Sequence, residues 1–123
     1  MIHFDTNFLV VVAVPGSAAD LRFRTWAAAN ESFGVSTVAW AEYLCGPLDP
    51  MAATIARQVV PSPEALLAID AELAADLFNR TGRRSRSLAD CMIAAVAIRC
   101  GAKVATINVG DFQPFVPYGL VLA

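Results

Sequence analysis

The sequence predicts a three-layer α/β/α sandwich on a mostly parallel, about five-stranded sheet, in a single domain over residues 1–123. Two observations carry this expectation. Short apolar runs alternate along the chain with longer stretches of helical periodicity, the pattern of βαβ units joined by right-handed crossovers. The chain is also 57% hydrophobic and only 16% charged. That is enough apolar side chain to cover both faces of a parallel sheet without disulfide staples.

Each element has its own signal. Ile2-His3-Phe4 is an apolar run ending at Asp5, suited to a buried central strand. Asn7 to Val14 reads as a short helix stopped by Pro15-Gly16. Ser17 then caps a helix from Ala18 to Ala29, with Asp20 completing a capping box. Phe33-Gly34-Val35 is a second strand, and Thr37 to Cys45 an apolar helix ended by Gly46-Pro47. A helix follows Pro50, and Val59-Val60 reads as a third strand closed by Pro61-Ser62-Pro63. From Glu64 to Arg80 the residues Leu66, Ile69, Leu73 and Leu77 recur at helical spacing, with Asp70, Glu72 and Asp76 on other faces. Ser87 caps a helix from Leu88 to Cys100 that is apolar almost all round and therefore buried. Val104 to Ile107 and Gly119 to Leu122 complete the strands.

Composition excludes several classes. Disorder and coiled coil both need more charge and less Val, Ile, Leu and Phe. The longest wholly apolar run, Cys91 to Ile98, falls far short of the ~18 residues of a membrane span. No Lys or Arg precedes the apolar stretch from Phe8 to Val14, and Asp5 interrupts the start, so the expectation is a cytoplasmic protein. Cys45, Cys91 and Cys100 are odd in number and lack C-x-x-C spacing, which reads as small buried hydrophobes in a reducing compartment. Net charge is −2, yet Arg80, Arg83, Arg84 and Arg86 sit together and no acid lies between Asp76 and Asp90. The chain is locally basic and globally mildly acidic.

Ligands of an open parallel sheet bind at the carboxyl ends of its strands. Asp5 directly follows the first strand, and Glu42 lies in the second turn of the helix after Val35. Asp90 sits in the first turn of the buried helix, and Asp111 lies just past the strand that helix leads into. All four can converge on one edge. Two carboxylates ~4 Å apart repel by about 4 kcal/mol at an effective dielectric near 20, so such a cluster is protonated in part or holds a cation. Oxygen ligands without His or Cys favour Mg²⁺ or Mn²⁺ over zinc, and such ions serve phosphodiester hydrolysis. Each acid also has a structural reading. Asp90 follows Ser87 as a capping box would, Asp5 is placed to cap the next helix, and Asp111 suits a turn after Gly110.

Four segments resemble the signature segments of the PIN domain. They are Met1-Ile2-His3-Phe4-Asp5-Thr6-Asn7, Ala41-Glu42-Tyr43-Leu44, Leu88-Ala89-Asp90-Cys91-Met92-Ile93-Ala94-Ala95 and Thr106-Ile107-Asn108-Val109-Gly110-Asp111-Phe112. In order, spacing and chain length the set is most similar to VapC-type toxins of bacterial toxin–antitoxin pairs. The resemblance implies a PIN-like fold and Mg²⁺-dependent endoribonuclease activity. It implies Asp5, Glu42 and Asp90 as core metal-binding acids, Asp111 as the fourth, and Thr6 or Asn7 as residues that orient water or a carboxylate. Asn108 is a departure, because many relatives carry an acid there; either it or Asp111 completes the site.

Other classes fit less well. A phosphoreceiver needs an acid after the third strand, where Pro61-Ser62-Pro63 stands, and a haloacid-dehalogenase phosphatase needs D-x-D where this chain has Asp5-Thr6-Asn7. A housekeeping RNA-processing nuclease and a catalytically silent binding module are the remaining alternatives. Arg83, Arg84 and Arg86 are candidates for contact with RNA phosphates. His3, inside a strand, reads as a core histidine. Phe23, Trp26, Trp40 and Tyr43 are candidates for a groove that takes an amphipathic helix of a cognate antitoxin, and the chain's apolarity points to a homodimer.

Overall fold

Ile2-His3-Phe4 has no polar face, and in the computed structural model, which describes residues 1–84 and 87–123, all three side chains are buried. They form β1 (Ile2–Phe4) at the interior of a four-stranded sheet. Its neighbours are β2 (Phe33–Val35) and β3 (Lys103–Ala105), and β4 (Val121–Leu122) lies outside β3. The order is β2-β1-β3-β4 and every pairing is parallel, with Phe4 opposite Val35 on one side and Ala105 on the other. Around the sheet run α1 (Thr6–Val11), α2 (Ala18–Ala28), α3 (Thr37–Cys45), α4 (Pro50–Val59), α5 (Ala68–Arg80), α6 (Leu88–Arg99) and α7 (Val109–Phe112). A 3₁₀ turn, Gln113–Tyr118, follows α7.

Local chemistry sets the starts of the first three helices. Asp5, Ser17 and Ser36 each accept a hydrogen bond from the backbone N–H three residues on, which satisfies donors the helix itself cannot use. The Asp20 carboxylate reaches back one residue beyond the cap, to the Gly16 N–H at 2.9 Å. Inside α6, Cys91 and the run Ile93–Ala97 are all buried, as an all-round apolar helix must be.

The two faces of β1 are packed differently because successive side chains point to opposite sides. Phe4 enters an aromatic cluster, with ring centroids 5.1 Å from Phe8, 6.2 Å from Phe23 and 5.3 Å from Phe33. His3 lies on the other side, over Gly34 of the adjacent strand. A Cβ at Gly34 would stand 2.7 Å from His3 Cδ2, so only glycine admits the imidazole there.

The structure corrects several expectations. Val59 ends α4 rather than forming a third inner strand, so the described sheet has four strands and not five. Pro61 and Pro63 cannot donate to a ladder, and pairing beyond β2 shrinks to a single bridge between Ser36 and Glu64. The helix expected from Glu64 begins at Ala68. Its Asp70 faces inward, while Ile69 is 63% exposed. Cys45 is exposed rather than buried. Of the four aromatics expected at a contact surface, Phe23 lines an apolar cleft, while Tyr43 is buried and stacks on Trp40 at 5.4 Å and Trp26 packs on the core 5.7 Å from Phe8.

Asp70 is tolerated inside because Arg99 of α6 reaches it. The Arg99 Nε donates to both Asp70 oxygens at 2.8 and 3.0 Å, and the terminal nitrogens donate to Glu64 and the Ala65 carbonyl. Burial alone would push the Asp70 carboxyl up, but the bonds from Arg99 and the Leu67 N–H outweigh it and hold the group below the usual carboxylate range. The stability this supplies is therefore full above that range and lost as pH falls through the depressed value. Arg99→Met should lower the urea midpoint at pH 7 well beyond the change caused by Asp76→Ala, which breaks only the exposed Arg80–Asp76 pair. It should also flatten the loss of stability on acidification. Equal midpoints for the two variants would contradict this role of the pair.

Candidate active site

β1 delivers Asp5 to the carboxyl edge of the sheet, where it is 2% exposed. A buried carboxylate needs partners, and Asp5 has two. Its Oδ1 accepts from the Phe8 N–H at 2.7 Å, capping α1, and its Oδ2 accepts from the Thr106 hydroxyl at 2.6 Å. Thr106 follows β3 directly, and its Oγ1 in turn accepts from the Asn108 N–H at 2.9 Å. Asp5 is thus anchored to the chain that follows it and to a loop 101 residues away.

The other acids reach the same edge from different elements. Glu42 projects from the second turn of α3, exposed, and its Oε1 accepts from the Thr6 hydroxyl at 2.7 Å. Asp90 lies in the first turn of α6 and is half-buried. Asp111 lies in α7 and is exposed. Asn7 is exposed, and Asn108 caps α7 without a side-chain bond. The capping-box reading of Asp90 does not hold: Ser87 makes no side-chain cap bond, and its hydroxyl donates to the Arg84 carbonyl at 2.8 Å instead.

The acids act on one another through charge. The Asp90 carboxyl is pushed up to about 7, first by burial and then by the charges of Asp111, Glu42 and Asp5. Burial also pushes Asp5 up, against the bonds from Thr106 and Phe8, with Glu42 and Asp111 adding to the rise. Asp90 and Asp111 open onto a cleft of about 410 Å³ whose other walls include Thr81, Arg84, Ser87, Pro114 and Phe115. Arg83 is exposed beside it, with a left-handed backbone, φ +55°. Arg86 lies outside the described residues.

A hard divalent cation suits this donor set, because the donors are oxygens whose mutual repulsion raises their proton affinity. The spacing is open: among the described residues, no three His, Cys, Asp or Glu side chains stand close enough to hold one ion as they are. Two residues not singled out from the sequence complete the arrangement. Thr106 is one. The other is Arg22 of α2, which donates to the Ala123 carbonyl at 2.7 Å and the Thr106 carbonyl at 3.4 Å while lying 4.8 Å over the Trp26 ring. A threonine at the end of an inner strand is a readable signal for the first. Nothing local marks the second.

The family model for the PIN domain matches residues 2–110. Among curated proteins, none matches this chain in sequence. Several solved structures share the fold. VapBC2 of Rickettsia felis, solved with a DNA fragment from its promoter, is 19% identical at TM-score 0.75, covering 100% of this chain and 98% of its own. The sarcin–ricin loop cleaving toxin VapC20 of Mycobacterium tuberculosis is 20% identical at TM-score 0.69, with the same coverages. FitAcB of Neisseria gonorrhoeae is 19% identical at TM-score 0.71, covering 100% of this chain and 97% of its own.

The raised Asp90 value has a stability consequence. Between the ordinary aspartate value near 4 and about 7, the folded chain binds more protons at this site than the unfolded chain, so stability falls as pH rises through that window. In chelator, Asp90→Asn should raise the melting temperature clearly at pH 8 and little or not at all at pH 5. A gain of the same size at both pH values would show that the repulsion is not what the substitution relieves.

Proposed function

The chain belongs to the PIN-domain family, and we propose that it is a divalent-metal-dependent endoribonuclease acting as the toxin of a toxin–antitoxin pair. The observation that carries this reading is the gathering of Asp5, Glu42, Asp90 and Asp111, from four distant segments, at one sheet edge with the Asp90 carboxyl pushed up to about 7. Folding them together costs stability, which marks a site kept for chemistry rather than for packing.

Asp5, Glu42, Asp90 and Asp111, drawn closer together than they stand here, would hold a Mg²⁺ or Mn²⁺ ion, which would supply polarisation of a phosphate oxygen and activation of a water for phosphodiester hydrolysis. The chain's own residues hold the frame. The Thr106 hydroxyl and the Phe8 N–H fix both oxygens of Asp5, and the Thr6 hydroxyl fixes one oxygen of Glu42. Asn7 and Asn108 stand close by in sequence as supporting polar groups. Arg84 lines the cleft and Arg83 flanks it, placed to meet RNA phosphates, and Arg86 belongs to the same basic stretch.

An antitoxin partner follows from an apolar cleft of about 260 Å³ between the α1–α2 region and α4. Val12, Phe23, Ile55 and Val59 line it, and it suits the apolar face of an amphipathic helix. A basic residue in the partner's tail would neutralise the acids. A homodimer belongs to the same reading, since Leu21, Leu67 and Ile69 are exposed apolar residues outside that cleft.

Four measurements test this. Purified protein should cleave RNA with Mg²⁺ and lose cleavage on Asp90→Asn with its fold intact; full cleavage by that variant would overturn the site. Millimolar Mn²⁺ should raise the melting temperature of the wild type and not of Asp5→Asn, because a ligand of the native state stabilises it; equal shifts would mean a nonspecific ion effect. Arg83→Gly should weaken RNA binding and flatten its salt dependence while leaving the melting temperature unchanged or higher, since glycine accepts φ +55° without strain. Growth arrest on expression alone, relieved by the neighbouring small gene, tests the toxin reading. Equal growth in both cases would leave a housekeeping nuclease.

A further inference from the structure

Arg80 ends α5, and its Nε donates to both carboxylate oxygens of Asp76 one turn earlier, at 2.9 and 3.0 Å. That bond sets the plane of the guanidinium. Its Cζ lies 5.8 Å from the centroid of the Tyr118 ring, which ends the 3₁₀ turn after α7. Both side chains remain open to solvent: Arg80 is 57% exposed and Tyr118 40%. Residues close to each in the chain line the cleft that holds two of the acids. Thr81, next to Arg80, lines the cleft that holds Asp90 and Asp111. Phe115 lines it too, and in a 3₁₀ turn residues three apart lie on one side, which sets Tyr118 above Phe115. Gly119, at φ +108°, turns the chain away immediately afterwards.

We propose that Arg80 and Tyr118 form a stacking ledge for one nucleobase of a single-stranded RNA lying in the cleft; this rests on the nuclease reading above. An exposed phenol ring with a cation fixed over it offers a flat π surface, which takes any base by stacking. The charge balance favours a base over a phosphate. Asp76 already pairs with Arg80, whereas Arg83 and Arg84, with Arg86 of the same stretch, are the cations assigned above to the backbone. The ledge therefore adds affinity without adding to the release of counterions. It sets how a base beside the scissile phosphate is held.

The test uses the full chain carrying Asp90→Asn, to prevent cleavage, and a labelled single-stranded RNA octamer read by anisotropy across a salt series. Adding Tyr118→Ala should weaken binding about tenfold with an unchanged salt slope, as expected for one lost stacking contact. Tyr118→Phe keeps the ring and should bind normally, which separates stacking from misfolding. In a set of octamers with one abasic residue at each position in turn, one position should bind weakly and be indifferent to Tyr118→Ala. Affinity unchanged by Tyr118→Ala, a loss matched by a shallower slope, or a loss confined to binding of the antitoxin would overturn the ledge. RNA cleavage by the wild type, measured in parallel, keeps the two readings apart. Cleavage with a silent Tyr118 sinks the ledge alone, and a wild type that neither binds nor cleaves RNA sinks both.

Discussion

The two hydrogen bonds to Asp5 tie together everything that the site requires. One fastens the carboxylate to the start of α1, the other to the loop after β3, and the strand that presents it is clamped between β2 and β3. Asp5 cannot shift without disturbing α1 or the Thr106–Asn108 turn, and that turn leads straight to Asp111. The same hydroxyl that holds Asp5 also accepts the Asn108 N–H, so one threonine spaces the first acid against the last segment of the site. Arg22 grips the backbone of that threonine from α2 and lies over the Trp26 ring, so the turn is held from its far side too.

Against this rigid frame stands a set of like charges. Glu42 and Asp111 lie in the open, where water screens them, while Asp5 and Asp90 carry the cost of burial. The core offsets that cost: an aromatic cluster around Phe4 on one face of β1, and the all-round burial of α6. The fold is stable around its site and strained at it. Asp70 makes a useful contrast, because there the buried acid has a fixed arginine and its carboxyl moves below the usual range instead of above it. What separates the two aspartates is the partner: among the described residues, no arginine is bonded to Asp90 as Arg99 is to Asp70.

Much of this was legible in the sequence because it is local. The strand at Ile2–Phe4, the stop at Gly46-Pro47, the cap at Ser17 and the burial of α6 each follow from a few adjacent residues. The four acids could be proposed as a set because parallel strands bring their carboxyl ends to one edge. The misreadings are all tertiary. Val59-Val60 looks like a strand in isolation, yet α4 extends through Val59 and the prolines beyond it bar a ladder. Asp70 looks solvated on a helical wheel, and only Arg99, 29 residues later, makes its burial possible.

The strand order has a consequence for how the protein comes into being. β1 precedes the other strands of its sheet in the chain but sits inside it, and one of its two partners, β3, begins about a hundred residues later. Contacts of such long sequence separation form late in folding, because a large loop must close before they contribute. During synthesis Thr106 and Asp111 emerge about a hundred residues after Asp5. Until they do, a nascent chain holds Asp5 without the hydroxyl that fixes it and without Asp111 across the same edge.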